Sequence, residues 1–208
     1  GAHEILRQAL TETGRFKNEE YRSRALCAMG MHFAADPEGT FFEALALARG
    51  INENRAQRVM ALTGIAARLS ADQSNPVLDE ALEVVREFGL YDGKGIKELA
   101  QIARLLPTNE AEQVLDEALV LARRYSNAGE RARHLSIVAE SLPTNHAVVV
   151  LNEALVAANQ ELTANGSAHW LRDVAAHLPS EARESLAEVL QMSDTISDIY
   201  DRIGVLRA

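Results

Sequence analysis

The chain has 208 residues, 47% of them hydrophobic and 25% charged, with one cysteine, Cys27; this excludes a disordered chain and a disulfide framework, and fits a reducing, cytoplasmic setting. The longest wholly apolar runs, Ala147 to Leu151 among them, are five residues, far short of the roughly 18 residues of a membrane helix, so no membrane partner is expected. The net charge of −9 is uneven, with 9 basic and 8 acidic side chains in residues 1–70 against 12 and 22 in residues 71–208; an acidic body repels phosphate backbones and disfavours nucleic acid as a partner.

Taken in chain order, the elements repeat. ILRQALTETG opens at Ile5, FFEALALARG at Phe41, VLDEALEVVREFG at Val77, VLDEALVLARRYS at Val114, VLNEALVAANQEL at Val150 and SLAEVLQMSD at Ser185. One anchor of these first blocks is Leu6, Phe41, Leu78, Leu115, Leu151 and Leu186. The other is Leu10, Leu45, Leu82, Leu119, Leu155 and Leu190, at spacings of 35, 37, 37, 36 and 35 residues. Around Leu82 the apolar set is Leu78, Ala81, Val84 and Val85, a wide helical stripe. A second block follows each first one, anchored by Leu26, Leu62, Leu99, Leu135, Leu171 and Leu206. Apolar residues at offsets of 3, 4 and 7 from these anchors mark one face of a second helix.

Boundary signals agree. Pro107, Pro143 and Pro179 stand where second helices must stop. Asp36-Pro37 and Asn75-Pro76 predict an N-cap followed by Pro at the first helical position, and Thr108-Asn109 and Thr144-Asn145 are further cap candidates. Residues 91–95, 126–129 and 164–166 predict turns. The β-branched run Val148 to Val150 favours a strand locally, but its register with the other copies makes it helical. Helical hairpins of this size bury their stripes only by stacking. The expected fold is all-α, a right-handed α-α superhelix (solenoid) of about six helix–turn–helix repeats forming one domain over residues 1–208, with repeats at 4–36, 37–74, 75–107, 108–143, 144–179 and 180–208. The Gly1-Ala2 start, without Met or a leader pattern, suggests a piece of a longer chain.

The pattern resembles the α-solenoid superfamily of helical-hairpin repeats, TPR-like and HEAT-like, across essentially the whole chain. It lacks the Trp, Gly and Tyr of the first TPR helix and the Asp and Arg ladder of standard HEAT units. It is most similar to a 36-residue bacterial repeat, Arg-Ala-x-x-Leu…Ala-x-x-Leu-Pro, matched by Arg131-Ala132 through Leu135 and by Ala139 to Pro143. The resemblance implies a protein-binding scaffold.

No catalytic, cofactor or metal site is expected. Gly89 to Gly95 is too short for a phosphate loop, has Gly95 where a Ser or Thr should be, and follows no strand. The six histidines make no i,i+4 pair, and His134 and His169 are the two that similar positions in adjacent repeats could bring together. Asp194, Asp198 and Asp201 form a solvated acidic face. Asn165-Gly166-Ser167 is a turn.

Two features predict binding. Glu43, Glu80, Glu117, Glu153 and Glu188 recur two residues before the second anchor of each first helix, about 160° from it, and form an outward negative row suited to a basic protein or peptide. On the second helices, the position two before the anchor varies (Arg24, Met60, Lys97, Arg133, His169), as does the position two after it, which includes Ile137. Met60, Arg133, Ile137, His169 and the sole tryptophan, Trp170, are candidate contact residues; Trp170 alternatively plugs a gap between repeats. Arg22, Arg58, Arg131 and Arg202, four before the anchor, are expected to lay their stems on the core and reach the carbonyl end of the preceding helix.

The expected function is a protein–protein interaction scaffold, not an enzyme, within a larger bacterial protein. The alternatives are a regulatory or substrate-recruiting segment of a multidomain enzyme, and nucleic-acid binding through the N-terminal arginines (Arg7, Arg15, Arg22 and Arg24, beside Lys17).

Overall fold

The computed structural model describes residues 2–33, 40–89, 95–165 and 168–178, with isolated positions at 187, 189, 191–193, 195, 196 and 205. Among the described residues there are ten helices and no strand: α1 (Ala2–Gly14), α2 (Glu19–Phe33), α3 (Thr40–Arg49), α4 (Arg55–Ala66), α5 (Ala71–Gly89), α6 (Ile96–Ala103), α7 (Thr108–Arg123), α8 (Ala128–Ala139), α9 (Thr144–Asn165) and α10 (His169–Ala175). Among them α1 with α2, α3 with α4, α5 with α6 and α9 with α10 pack as hairpins of a first and a second helix. The β-branched run Val148 to Val150 lies within α9, so packing overrides strand propensity there.

The anchors explain why these segments are helices. The second-helix leucines Leu26, Leu62, Leu99, Leu135 and Leu171 are at most 1% exposed, each contributing on the order of 1.5–3 kcal/mol by burial. Three residues on, Ile65, Ile102, Val138 and Val174 are fully buried. The first-helix stripe is buried as well, through Leu78, Ala81, Leu82, Val84 and Val85 in α5. Leu206 and Leu190 lie outside the described residues.

The chain divides into two compact units, Gly1–Glu112 and Gln113–Ala208, with the division inside α7. In the first, the partners of each hairpin pack together, and each second helix also packs on both helices of the next hairpin, α2 on α3 and α4, and α4 on α5 and α6. In the second, α8 packs on α9 and α10, which pack on each other.

The turns repeat at the level of single hydrogen bonds. After each of four second helices, two successive amides bond three residues back: Arg68 to Ile65 and Leu69 to Ala66, Leu105 to Ile102 and Leu106 to Ala103, Ser141 to Val138 and Leu142 to Ala139, His177 to Val174 and Leu178 to Ala175. These tighten the last turn and satisfy carbonyls the helix leaves open. The Pro107 and Pro143 carbonyls then accept the first bonds of α7 and α9, from Glu110 and Ala111 and from His146 and Ala147. Each proline therefore closes one helix and opens the next through its carbonyl, and Thr108 and Thr144 are the first helical residues, not the caps expected of them.

Pro76 also departs from expectation. It lies inside α5, which begins at Ala71, because Ser70 already accepts from Gln73 and Ser74; the proline costs one intrahelical bond in the second turn. Side-chain caps fall elsewhere, on asparagines at one register position. Asn18 accepts from the amides of Glu20 and Tyr21, Asn54 from Gln57 and Asn127 from Glu130. Asp36-Pro37 and the turns expected at 91–94 and at 166 lie outside the described residues.

Candidate functional site

The glutamate row is built into a set of clasps. Arg49, at the end of α3, donates Nε to both oxygens of Glu80 (3.2 and 2.9 Å) and Nη2 to Oε2 (2.7 Å). Arg58 of α4 adds a bond to Oε1 at 3.0 Å, leaving the Glu80 side chain 19% exposed. The arrangement recurs in the second unit, where Arg123 of α7 donates to Glu153 of α9 at 3.0, 3.1 and 2.9 Å. Arg49 and Arg123 occupy the same place in their copies, four residues after the anchor. Glu43 faces Arg7 at 3.6 Å, both ends exposed. Glu117 is half-buried on α7, and Glu188 lies outside the described residues.

Electrostatics follow the geometry. Burial pushes the Glu80 carboxyl up, but Arg49 and Arg58 outweigh it and hold it below the usual range. The Arg49 and Arg123 guanidinium groups are raised by their hydrogen bonds to Glu80 and Glu153. Wherever the clasp is seen, the row is charge-compensated, which lowers the field it offers a basic partner. The matching signal was present in the sequence as Arg49, Arg86 and Arg123 at one register position.

Of the second-helix candidates, Met60 and Trp170 lie at contacts between helices. Met60 is half-buried, and its carbonyl accepts from Cys27 Sγ at 3.0 Å. Gly64, one turn on, lies so close to α2 that a Cβ there would fall within 3.0 Å of Cys27. Trp170 is half-buried and packs on Gly129 at the start of α8, where a Cβ would fall within 2.6 Å of the indole. His169 is exposed and its ring centroid lies 4.2 Å from that of Trp170. Ile137 is half-buried, and Arg133 is exposed, 3.6 Å from Glu130.

Of the N-terminal arginines, Arg7 faces Glu43 of α3 and the other three are engaged locally. Arg15 pairs with Glu12 and Arg24 with Glu20, each at 2.6 Å. Arg22 donates to the Phe16 carbonyl at 2.6 Å and Arg131 to the Tyr125 carbonyl at 2.7 Å, the reach expected of that row. Arg58 departs from it by turning to Glu80. A further clasp comes from Glu19, whose carboxylate accepts from the amides of Asn52, Glu53 and Asn54 at 2.9, 3.2 and 2.8 Å. Burial pushes its carboxyl up, but these three bonds and nearby Arg22 hold it down.

Three features were not foreseen. Phe42, Val120, Val149 and Val156 are exposed on first helices; Val149 and Val156 share one side of α9, seven residues apart, and Val120 has the register of Val156. For Val120 and Val156 the signal was an apolar residue outside the buried stripe, where other copies carry Thr11, Ala46 or Glu83. His177 bridges α10 to Glu140 after α8 at 2.5 Å. A cavity of about 360 Å³ opens between the turns that follow α4 and α6, lined by Leu69, Ser74, Asn75, Leu105, Leu106 and Pro107 among others.

Among the described residues, no group of three His, Cys, Asp or Glu side chains is placed to hold a metal ion, and no helix is long and apolar enough to cross a membrane. Asp194, Asp198 and Asp201 lie outside those residues. Compared with family models, curated proteins and solved structures, the chain has no match.

Proposed function

We propose that the chain is a protein-recognition scaffold, a right-handed superhelix of about six TPR-like and HEAT-like hairpins. In this reading it works in the cytoplasm as a module of a larger bacterial protein, and binds rather than catalyses. One observation supports it above the others: the same two-pronged clasp recurs at two junctions, Arg49 to Glu80 and Arg123 to Glu153, while the solvent positions beside it vary. Those positions are Asp79 and Glu83 in α5, Asp116 and Val120 in α7, and Asn152 and Val156 in α9. A constant frame carrying variable outward residues is how stacked repeats build specificity.

Each unit offers a surface of its own. In the second, Val120, Val149 and Val156 offer contact to an apolar segment; in the first, the exposed side of α5 carries Asp72, Asp79, Glu83 and Glu87, suited to a basic one. Of the candidates, Arg133 and His169 are solvent-facing contact residues in this reading, and Glu43 is more open than Glu80 or Glu153.

Two experiments test it. A compact globule of 208 residues has a radius of gyration of about 17 Å, and a running stack should exceed about 20 Å by small-angle scattering; a value at the compact limit overturns the superhelix. Peptides selected on the chain by display should lose about tenfold or more in affinity for a Val120→Asp/Val156→Asp variant whose circular dichroism is unchanged. Selected peptides that bind both proteins alike overturn the recognition surface.

A further inference from the structure

In each unit the turns that follow two successive second helices come together, and the two junctions are built differently. In the second unit a polar pair spans the junction. His177, six residues after the anchor Leu171, meets Glu140, five after Leu135, at 2.5 Å. At the same register the first unit has Leu105, six after Leu99, and Ala67, five after Leu62. These two cannot make that pair, and the cavity of about 360 Å³ opens between their turns. Ligand sites span about 300–1,000 Å³, so this one has room for a large side chain.

The lining is changed as well. From α5 it receives buried Ser74 and half-buried Asn75, where the second unit has Ala147 and Val148. Leu69, Leu105 and Leu106 are half-buried, while Ala67 and Pro107 are exposed at the opening. The leucines offer apolar contact to a side chain entering between them. Asn75 offers its amide to the main chain that carries that side chain.

Charge decides what else the occupant carries. Asp72 lies in sequence between the lining residues Ala71 and Ser74, and Asp79 and Glu83 follow 7 and 11 residues on; all three are exposed. They fall within about 20° of one line along α5. Asn75 and Ala71 lie about 60° and 100° to one side of that line, and Glu80 with its arginines about 80° to the other. The acids therefore form a track that starts at the groove and runs along α5, clear of the clasp. Glu110, three residues past Pro107, is a further exposed acid at the start of α7. Exposed Arg68 and Arg104 stand after α4 and α6, and Arg104, like Arg86 farther along α5, has a partner of its own. Arg68 offsets the acid nearest the groove, so a base on the occupant belongs farther out, over Asp79 and Glu83. Those lie about 10 and 16 Å along the helix from Asp72, a span of about three to five extended residues.

We propose that the groove between the turns after α4 and α6 seats a bulky apolar side chain of a peptide segment whose Lys or Arg, about three to five residues away, lies over Asp79 and Glu83. The inference rests on the reading of the first unit as a surface for a basic segment, and supplies the anchor that positions it.

Peptide display on the full chain tests it, with counter-selection against Ala67→Glu/Leu105→His, which places the second unit's own pair across the groove. The surviving peptides should carry a bulky apolar residue with Lys or Arg about three to five residues from it. Each should bind Ala67→Phe, a filler at an exposed position, at least about tenfold more weakly than the wild type, with circular dichroism unchanged. Asp79→Lys/Glu83→Lys should weaken the same peptides by about tenfold or more at low salt. Val120→Asp/Val156→Asp should bind them as the wild type does. No surviving peptide, or survivors that lack the base, would overturn the proposal. Survivors that bind Ala67→Phe undiminished would overturn the groove and leave the acidic side of α5 standing; survivors indifferent to Asp79→Lys/Glu83→Lys would overturn the basic segment itself.

Discussion

A methyl group at position 64 would lie within 3.0 Å of the Cα, Cβ and Sγ of Cys27, and two of those atoms cannot move without moving α2. Gly64→Ala should therefore cost about 1–3 kcal/mol, the usual range for overpacking, measured as a lower urea midpoint. Cys27→Ala in the same chain should restore part of that loss, since it removes only the sulfur. Glu80 makes a second single-residue test. With its side chain 19% exposed and two arginines on it, Glu80→Gln should cost about 1–3 kcal/mol. Glu153→Gln, with one arginine and 40% exposure, should cost less than about 1 kcal/mol. Equal losses would mean that Arg58 adds nothing. His134 contributes to the acid response. Burial holds its imidazole below the ordinary value, with Glu130 opposing and Arg133 adding to the shift. The unfolded chain then binds the proton more readily, so stability should rise with pH through the window between the lowered folded value and about 6.5, and fall on acidification through it. A His134→Gln variant should show a smaller drop in midpoint between pH 7 and 5.5 than the wild type.

At the scale of elements, the caps divide into two kinds that substitution can separate. Asn54 and Asn127 cap through their side chains, so Asn127→Ala should cost about 1 kcal/mol. Pro143 caps through its carbonyl, which alanine also possesses, so Pro143→Ala should leave the start of α9 in place and cost less. Helicity and urea midpoints of the two variants check this. The same contrast shows what sequence could convey. The leucine anchors were legible because each copy repeats an apolar offset pattern and only one helical face satisfies it. Asn18, Asn54 and Asn127 share a register position and could have been found by the same alignment, but proline drew attention to the wrong junctions. Pro76 illustrates the reason: a proline fixes its own φ and removes one donor, yet it does not dictate where a helix begins once Ser70 has opened it. The clasp was half legible. The glutamate row stood out, but its outward placement at a helical angle of about 160° from the anchor does not convey that an arginine side chain reaches across from the neighbouring hairpin. Exposed Val120 and Val156 were hidden for a different reason, since an apolar residue beside a wide apolar stripe looks like more core.

At the scale of the whole molecule, the two compact units each have packing of their own, and the only tryptophan, Trp170, sits in the second. Its fluorescence therefore reports unfolding of residues 113–208, while circular dichroism reports helices in both units. In an array whose stability is a sum of hairpin terms and nearest-neighbour terms, damage stays mainly local. Leu62, fully buried in α4, anchors the first unit, and Leu62→Ala should remove about 2–5 kcal/mol there. In urea, the wild type should show dichroism and fluorescence transitions close together. In the variant, part of the dichroism should be lost at lower urea while the Trp170 transition moves little. The matching change in the second unit, Leu135→Ala, should reverse the order, because Leu135 lies in α8, the helix on which α10 and Trp170 pack. If Leu62→Ala shifted both signals equally, the chain would be unfolding as one cooperative block, and coupling along it would be stronger than nearest-neighbour packing supplies.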